Sequence, residues 1–350
     1  MQSLFNIINI PLGYVLKFLS EIFGGNFAVS VFAFTLIINL ILIPLTVKSQ
    51  KSSVSQARIK PKLDELKKRY GDDRQKMAQA QQKLYQDEGV SMSGGCLPMI
   101  IRMLLLFSIY WLIMSPLTYM AGADKTRVSN VTTAINTALS DYKKESGEEK
   151  YKDLIKEKDI SWKLNASNSY ELSLIEVLRN DPDGDGPLVQ EILTDKQYNK
   201  IKDDYKYVYE KYKQAGISFN LFGIDLISKP EFSFDIFNAW KPIWLLPITA
   251  FLAQMLTSVV SMRINKRVNP DAPTMAAMML TMPLISLFIG FSFPGGVCFY
   301  WICSSLIGGA IQSAVQIFYG PHKLLARLRV KELSKVCDFE TGQKNKFETE

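Results

Sequence analysis

The apolar positions of this chain collect in five blocks, residues 28–47, 94–116, 241–262, 275–293 and 294–318, separated by very polar connectors. Each block is about as long as a helix must be to cross a ~30 Å hydrocarbon core. Ahead of them Phe5, Ile8, Leu12, Val15, Leu16, Leu19 and Phe23 recur at helical spacing, with Asn9, Lys17, Ser20 and Glu21 between. That pattern predicts an amphipathic helix over residues 1–27, lying in the membrane interface or packed on the bundle. The fold class expected is an all-α integral membrane protein with five transmembrane helices.

The connectors have patterns of their own. Residues 48–93 read as a helical hairpin, with Ile59, Leu63, Leu66 and Tyr70 on one seam and Met77, Ala80 and Leu84 on the other. Gly71-Asp72-Asp73 supplies a stop and an N-cap between the two helices, and Pro61 should kink the first or begin its main segment. Residues 117–240 are too long for an idle loop. Helical patterns near Tyr170–Arg179 and Glu191–Gln214 predict a small, mostly helical insert domain.

Charge orients these pieces. The net +7 and pI near 9.0 are unevenly spread. Lys48–Met92 holds 11 Lys and Arg against 6 Asp and Glu, residues 263–274 hold 3 against 1, and the tail 319–350 holds 7 against 5. The insert holds 17 against 21. Short basic connectors stay in the cytoplasm, whereas long ones are exported largely regardless of charge. The expected topology in the plasma membrane therefore has the N-terminus outside, the hairpin and basic tail in the cytoplasm, and the insert extracytoplasmic. Met1–Gly25 lacks the basic start and small-residue cleavage site of a signal peptide. Cys96, Cys298 and Cys303 lie in or beside spans and Cys337 in the tail, so no disulfide framework is expected in the insert.

Enzymatic chemistry finds little support. His322 is the only histidine and lies beyond the last span, and the spans contain no Asp or Glu. This excludes a His-based triad, an intramembrane zinc site and an aspartyl protease within the membrane, and weakens a proton-coupled transporter. Gly290-Phe291-Ser292 leads into Phe293 rather than a glycine, which makes it a poor nucleophile motif. In the insert, Asp181-Pro182-Asp183-Gly184-Asp185-Gly186 has the first half of a calcium loop, with Asp181, Asp183 and Asp185 as the candidate ligands. The twelfth position, however, is Ile192 rather than an acid, and an ordinary turn uses the same residues. The turn is the favoured reading, and no cofactor is expected.

One charge remains. Arg102 stands inside the second block and is the only ionised side chain in the interior of any block, Lys241 being the very first residue of the third. A guanidinium keeps its proton, so at that depth it demands polar neighbours or water. Neutral polar residues recur one turn apart in other spans: Thr35 and Asn39 in the first, Gln254 and Ser258 in the third, and Trp301, Ser305, Gly308 and Gln312 in the fifth. Each alone fits helix packing. Taken with Arg102 they predict a hydrophilic groove.

Several strings resemble one family. Thr35-Leu36-Ile37-Ile38-Asn39-Leu40-Ile41-Leu42-Ile43-Pro44-Leu45 is similar to the first core span of the YidC/Oxa/Alb membrane-protein insertases. The likeness continues through Lys60-Pro61-Lys62, Gly94-Gly95-Cys96-Leu97-Pro98-Met99 and the stretch Met282–Pro294, on to Tyr300-Trp301. The plan resembles the single-membrane bacterial branch with an enlarged extracytoplasmic loop. The resemblance implies an insertase without enzymatic activity, whose groove arginine attracts acidic exported tails while the hairpin receives the substrate. Nascent membrane proteins and the lipid bilayer would be its partners, with the ribosome and the Sec translocon as further candidates and no specific nucleic-acid recognition. Two departures stand out. Relatives carry the arginine at the position of Asn39 and a glutamine where this chain has Arg102, and their connector is shorter than 117–240. Asn39 lies about 12 Å and Arg102 about 8 Å from the cytoplasmic ends of their helices, so the charge is inferred to have moved across one groove. A channel or transporter for an anionic solute, and a chaperone that holds partner helices without inserting them, are the competing readings.

Overall fold

The computed structural model describes residues 2–71, 73–90, 96–157, 170–230, 241–268 and 276–319, with a few residues of the tail. These are overwhelmingly α-helical. The chain divides into two compact units, one formed by Met1–Ile37, Met103–Phe251 and Leu284–Cys303, the other by Ile38–Arg102, Leu252–Pro283 and Ser304–Glu350.

In the first unit, α1 (Gln2–Ile22) and the start of α2 (Phe27–Ile41) meet the insert. Leu16, Leu19, Asn9 and Ser20 of α1 are buried, while Ile7, Ile10, Tyr14, Phe18 and Ile22 are exposed. The expected apolar seam is therefore only partly the buried one. Phe23 of that seam is exposed, and a second apolar stripe faces outward. An exposed stripe this apolar suits lipid rather than water.

The insert is built on α7 (Lys125–Ser146) and α11 (Asp195–Ala215). Asp124 caps α7 by accepting from the amides of Thr126 (3.0 Å) and Arg127 (3.1 Å). Val128, Val131, Ile135 and Leu139 of α7 pack on the α11 face that carries Ile201, Tyr205 and Val208. The helix expected over Glu191–Gln214 is interrupted. A short α10 (Pro187–Ile192) ends before Thr194, whose amide donates to Gln197 Oε1 (3.0 Å) and so opens α11 with a capping box. The remaining insert helices are α6 (Pro116–Tyr119), α8 (Glu148–Glu157) and α9 (Tyr170–Arg179), and a two-residue pair, β1 (Asn220–Leu221) and β2 (Ile224–Asp225), follows α11.

Glu171 pins α9 to α6. Its carboxylate accepts from the Thr118 amide (3.0 Å) and the Thr118 hydroxyl (2.6 Å). Burial pushes this carboxyl up to about 7, although the bonds from Thr118 and the charge of Lys125 pull the other way. The folded-state value lies above the ordinary 4.5, so the native state binds the extra proton. Stability from this group is then complete below the ordinary carboxylate range and is lost as pH rises through about 7. The loss amounts to up to about 3 kcal/mol. Denaturation of the detergent-solubilised chain should show a more stable insert at pH 5 than at pH 8. Glu171→Gln keeps an acceptor for the Thr118 amide and should flatten that slope; an unchanged slope would place the proton elsewhere.

In the second unit, α3 (Ile43–Tyr70) and α4 (Arg74–Asp87) form a hairpin. Asp73 caps α4 by accepting from Gln75 and Lys76 (both 3.1 Å), and these bonds, with the Lys76 side chain, hold its carboxyl below the usual range. Ile59 is buried, and Leu63, Leu66, Tyr70, Met77, Ala80 and Leu84 are all partly covered. Pro61 lies inside α3 rather than at its start. Lys62 pairs with Glu88 across the hairpin.

The first apolar block is not one straight helix. α2 and the Ile43–Ser52 stretch of α3 meet at 48°. Pro44 at the head of α3 is the cause: its ring lacks an N–H and crowds the carbonyl one turn earlier. Two described helices, Pro242–Ile264 and Gly295–Phe318, are by themselves long and apolar enough to cross a membrane, and the bent pair makes up to three. The first of these comprises a 3₁₀ turn (Pro242–Trp244) and most of α12 (Leu245–Val268); the second is α14. α5 (Cys96–Met114) and α13 (Ala276–Gly290) are shorter apolar helices.

Candidate groove between helices

The second unit gathers most of the polar span residues. Two glycines of α14 set the spacing. A Cβ on Gly308 would stand 3.2 Å from Asn39 Oδ1, and one on Gly309 would stand 2.4 Å from Thr257 Cγ2. The α14 backbone therefore runs in side-chain contact with α2 on one side and α12 on the other. Ser305 and Gln312 sit one turn either side of Gly308, and both are half-buried, as is Asn39.

Further along, Gln316 Nε2 donates to Ser261 Oγ at 3.1 Å, joining α14 to α12. Gln254 and Ser258 continue the same edge of α12, again half-buried. Large apolar side chains are exposed along these helices, Leu40 and Ile41 on α2, Leu252, Leu256 and Val260 on α12, Leu306 and Ile317 on α14, while the exposed charges of α12, Arg263 and Lys266, stand at its end. Polar edges turn inward and apolar edges outward, the reverse of a water-soluble bundle and the arrangement a lipid surrounding selects.

Arg102 lies on α5 in this unit, and its side chain is outside the described residues. Thr35 and Trp301 belong to the first unit. Thr35 is buried, and its hydroxyl donates to the Val31 carbonyl of its own helix (2.6 Å). Trp301 packs edge-on against Phe293 (5.7 Å between ring centroids), which in turn meets Tyr110 (5.4 Å). It sits in an aromatic row. Gln316 and Thr257 are the residues sequence reasoning passed over. Gln316 continues the α14 stripe by one more turn beyond Gln312, so periodicity carried the signal.

Asp181 is buried, and its carboxylate accepts from the amides of Gly184 (2.9 Å) and Gly186 (2.8 Å) and from the Tyr205 hydroxyl (2.8 Å). Burial, with Asp181 beside it, raises the Tyr205 hydroxyl well above its ordinary value. Asp183 and Asp185 are exposed. Among the described residues no group of three or more His, Cys, Asp or Glu is arranged to hold a metal ion. The geometry supports the turn.

Comparison with known proteins agrees with this architecture. The model of the family described as 60Kd inner membrane protein matches residues 18–157 and 195–320. The membrane protein insertase YidC of Haemophilus ducreyi is 44% identical over 105 residues, covering 30% of this chain and 19% of that protein. The insertases YidC of Cellvibrio japonicus and of Shewanella sp. (strain ANA-3) are each 42% identical, over 104 and 106 residues, with the same 30% and 19% coverage. The aligned region is thus about a fifth of these relatives' length. The family model takes in the bent first span, the hairpin, part of the insert and the two long apolar helices, and so the chain belongs to the 60Kd inner membrane protein family, that of the YidC membrane insertases.

Proposed function

We propose that this protein inserts newly made membrane proteins into the bilayer through a hydrophilic groove that carries Arg102 as its one charge. The observation that supports it most directly is the contact of Asn39 with Gly308 inside the polar stripe Ser305–Gly308–Gln312. A stripe of amides and hydroxyls between apolar-coated helices gives a polar exported segment partners at a depth where hydrocarbon offers none. Arg102 adds attraction for carboxylates. Asn39, Gln254, Ser258, Ser305 and Gln312 form the wet wall, with Thr35 and Trp301 on the same helices. The work is positional and electrostatic, with no covalent chemistry and no cofactor.

In this reading residues 28–47, 94–116, 241–262, 275–293 and 294–318 are five spans, and 1–27 is the interfacial helix. α5 rises about 28 Å over its length, close to the ~30 Å core. Residues 48–93 receive the substrate on the cytoplasmic side. A cleft of about 810 Å³ there, lined by Lys62, Lys68, Arg69 and Lys83 against Glu65 and Asp87, keeps an excess of positive charge to meet acidic clients. The ribosome and the Sec translocon are candidate partners on the same side.

Purified protein in liposomes tests the reading: it should insert a small single-span client with an acidic exported tail. Flux of an anionic solute without insertion would favour a channel, and neither activity a holding chaperone. Orientation is tested separately. Cysteines placed at Ser146 and Ser334, with Cys337 replaced, should label from opposite sides with an impermeant reagent. Labelling of both from one side would overturn the topology.

A further inference from the structure

Phe222 forms the tip of the small β pair and is 97% exposed, the most exposed large apolar residue described. The turn that carries it is tight. Asn220 pairs with Asp225 and Leu221 with Ile224, leaving only Phe222 and Gly223 between the strands. Both have positive φ, 50° and 85°, and the Gly223 amide donates to Asn220 Oδ1 at 2.8 Å. Two-residue turns of this kind favour Asn or Asp before Gly, because a bulky residue is strained in the left-handed region. A phenylalanine held there with no packing to reward it calls for a contact outside the chain.

The base of the pair shows where the tip stands. The Phe27 amide, at the start of α2, donates to the Ser218 carbonyl (3.0 Å), and Ser218 donates back to Gly25 (2.9 Å). The amides of Gly295 and Gly296, at the start of α14, donate to Ser228 (2.9 Å) and Leu226 (2.7 Å). β2 packs against the 3₁₀ turn that opens α12. Segment 217–228 is thus fastened to the leading ends of the three longest apolar elements, all within one unit. Its inward residues Ile217, Phe219, Leu226 and Ile227 are buried, with Phe219 stacked on Phe27 (4.9 Å between centroids). Only the tip projects.

We propose that Phe222 is a bilayer anchor, inserting its ring among the lipids at the membrane surface on the insert's side and so tethering the insert to that surface. Elements that begin at the base of the pair run into the membrane, so the tip stands at the level of the headgroups, where aromatic side chains are favoured. The occupant is lipid rather than protein because a single ring between Asn220 and Gly223 offers far less than the roughly 1,000 Å² a stable protein contact buries. The proposal rests on the membrane-spanning reading of α2, α12 and α14 and not on the groove.

The test uses the full chain in phosphatidylcholine liposomes, in a Cys96→Ala, Cys337→Ser background. An environment-sensitive fluorophore is attached to Phe222→Cys and, for comparison, to Lys196→Cys at the far end of α11. The probe at 222 should be blue-shifted and quenched several-fold more strongly by nitroxide lipids labelled near the headgroup than the probe at 196. Equal accessibility of both to aqueous iodide would overturn the proposal, as would a blue shift without lipid quenching, which means contact with protein. Phe222→Asn provides a second reading. Its melting temperature in detergent should be equal or higher, since Asn suits the turn; a clear fall would assign Phe222 to packing and sink the anchor. A protein lacking insertase activity but showing the lipid quenching would separate the two proposals.

Discussion

Arg102→Ala is expected to cut insertion of clients with acidic exported tails by a factor of about 30, and to leave neutral-tailed clients much less affected. The factor follows from one charge pair: at about 8 Å and an effective dielectric near 20, opposite charges attract by about 2 kcal/mol. Each 1.36 kcal/mol at the transition state is tenfold in rate. No other ionised residue lies in the interior of a block, Lys241 and Arg263 standing at the two ends of the third, so no neighbour at that depth substitutes. Arg102→Lys should keep part of the activity, because it retains a cation but loses the planar fork and its several donors. Equal losses for acidic and neutral clients, measured in proteoliposomes at matched protein levels, would make Arg102 a structural anchor.

The exchange of positions is the sharper experiment. Asn39 lies against Gly308, in the polar stripe of α14. Asn39→Arg combined with Arg102→Gln recreates the arrangement the family resemblance implies. If the two residues serve one groove, the double variant should recover activity that Arg102→Gln alone has lost. Failure to recover, in a chain still folded, would mean that they line different surfaces.

What the sequence reveals and conceals follows from how strongly each residue is constrained. The long apolar helices are legible because lipid demands continuous apolar runs, and the Asp73 cap because a turn between polar helices needs its carboxylate. α1 is half-legible. Its apolar residues occupy both faces, so periodicity identifies the helix but cannot choose which stripe, Leu16–Leu19 or Ile10–Tyr14–Phe18, packs inward. The 48° break was written in Pro44, but hydropathy averages over it. α7, the longest helix of the insert, escaped notice because its buried face mixes Val128, Val131 and Ile135 with Thr132 and Ala138, which blurs the period despite a clear Asp124 cap. Along α14, spacing puts Ser305 and Gln312 on one face but stops one turn short of Gln316, which bonds to Ser261. Trp301 was legible as part of a stripe but not as a member of an aromatic row, since Phe293 and Tyr110 reach it from distant parts of the chain.

Asp181→Ala should destabilise the insert by about 3–5 kcal/mol, the cost of stranding buried polar groups when a hydrogen-bonded charge is removed. The variant leaves the Gly184 and Gly186 amides and the Tyr205 hydroxyl without their acceptor. Tyr205 is fully buried, so water cannot easily take the carboxylate's place. Asp183→Ala and Asp185→Ala should change stability by no more than about 0.5 kcal/mol, as exposed positions do. This contrast separates the turn from a calcium loop. A loop that binds calcium through all three aspartates would gain stability in millimolar calcium by RT ln(1 + [L]/Kd), and each alanine variant would lose that gain. For the turn, the melting temperature of the full chain in detergent should not respond to calcium, and only Asp181→Ala should lower it. A calcium-dependent rise that disappears in Asp183→Ala would reverse the assignment, because Asp183 bears on stability here only as a ligand.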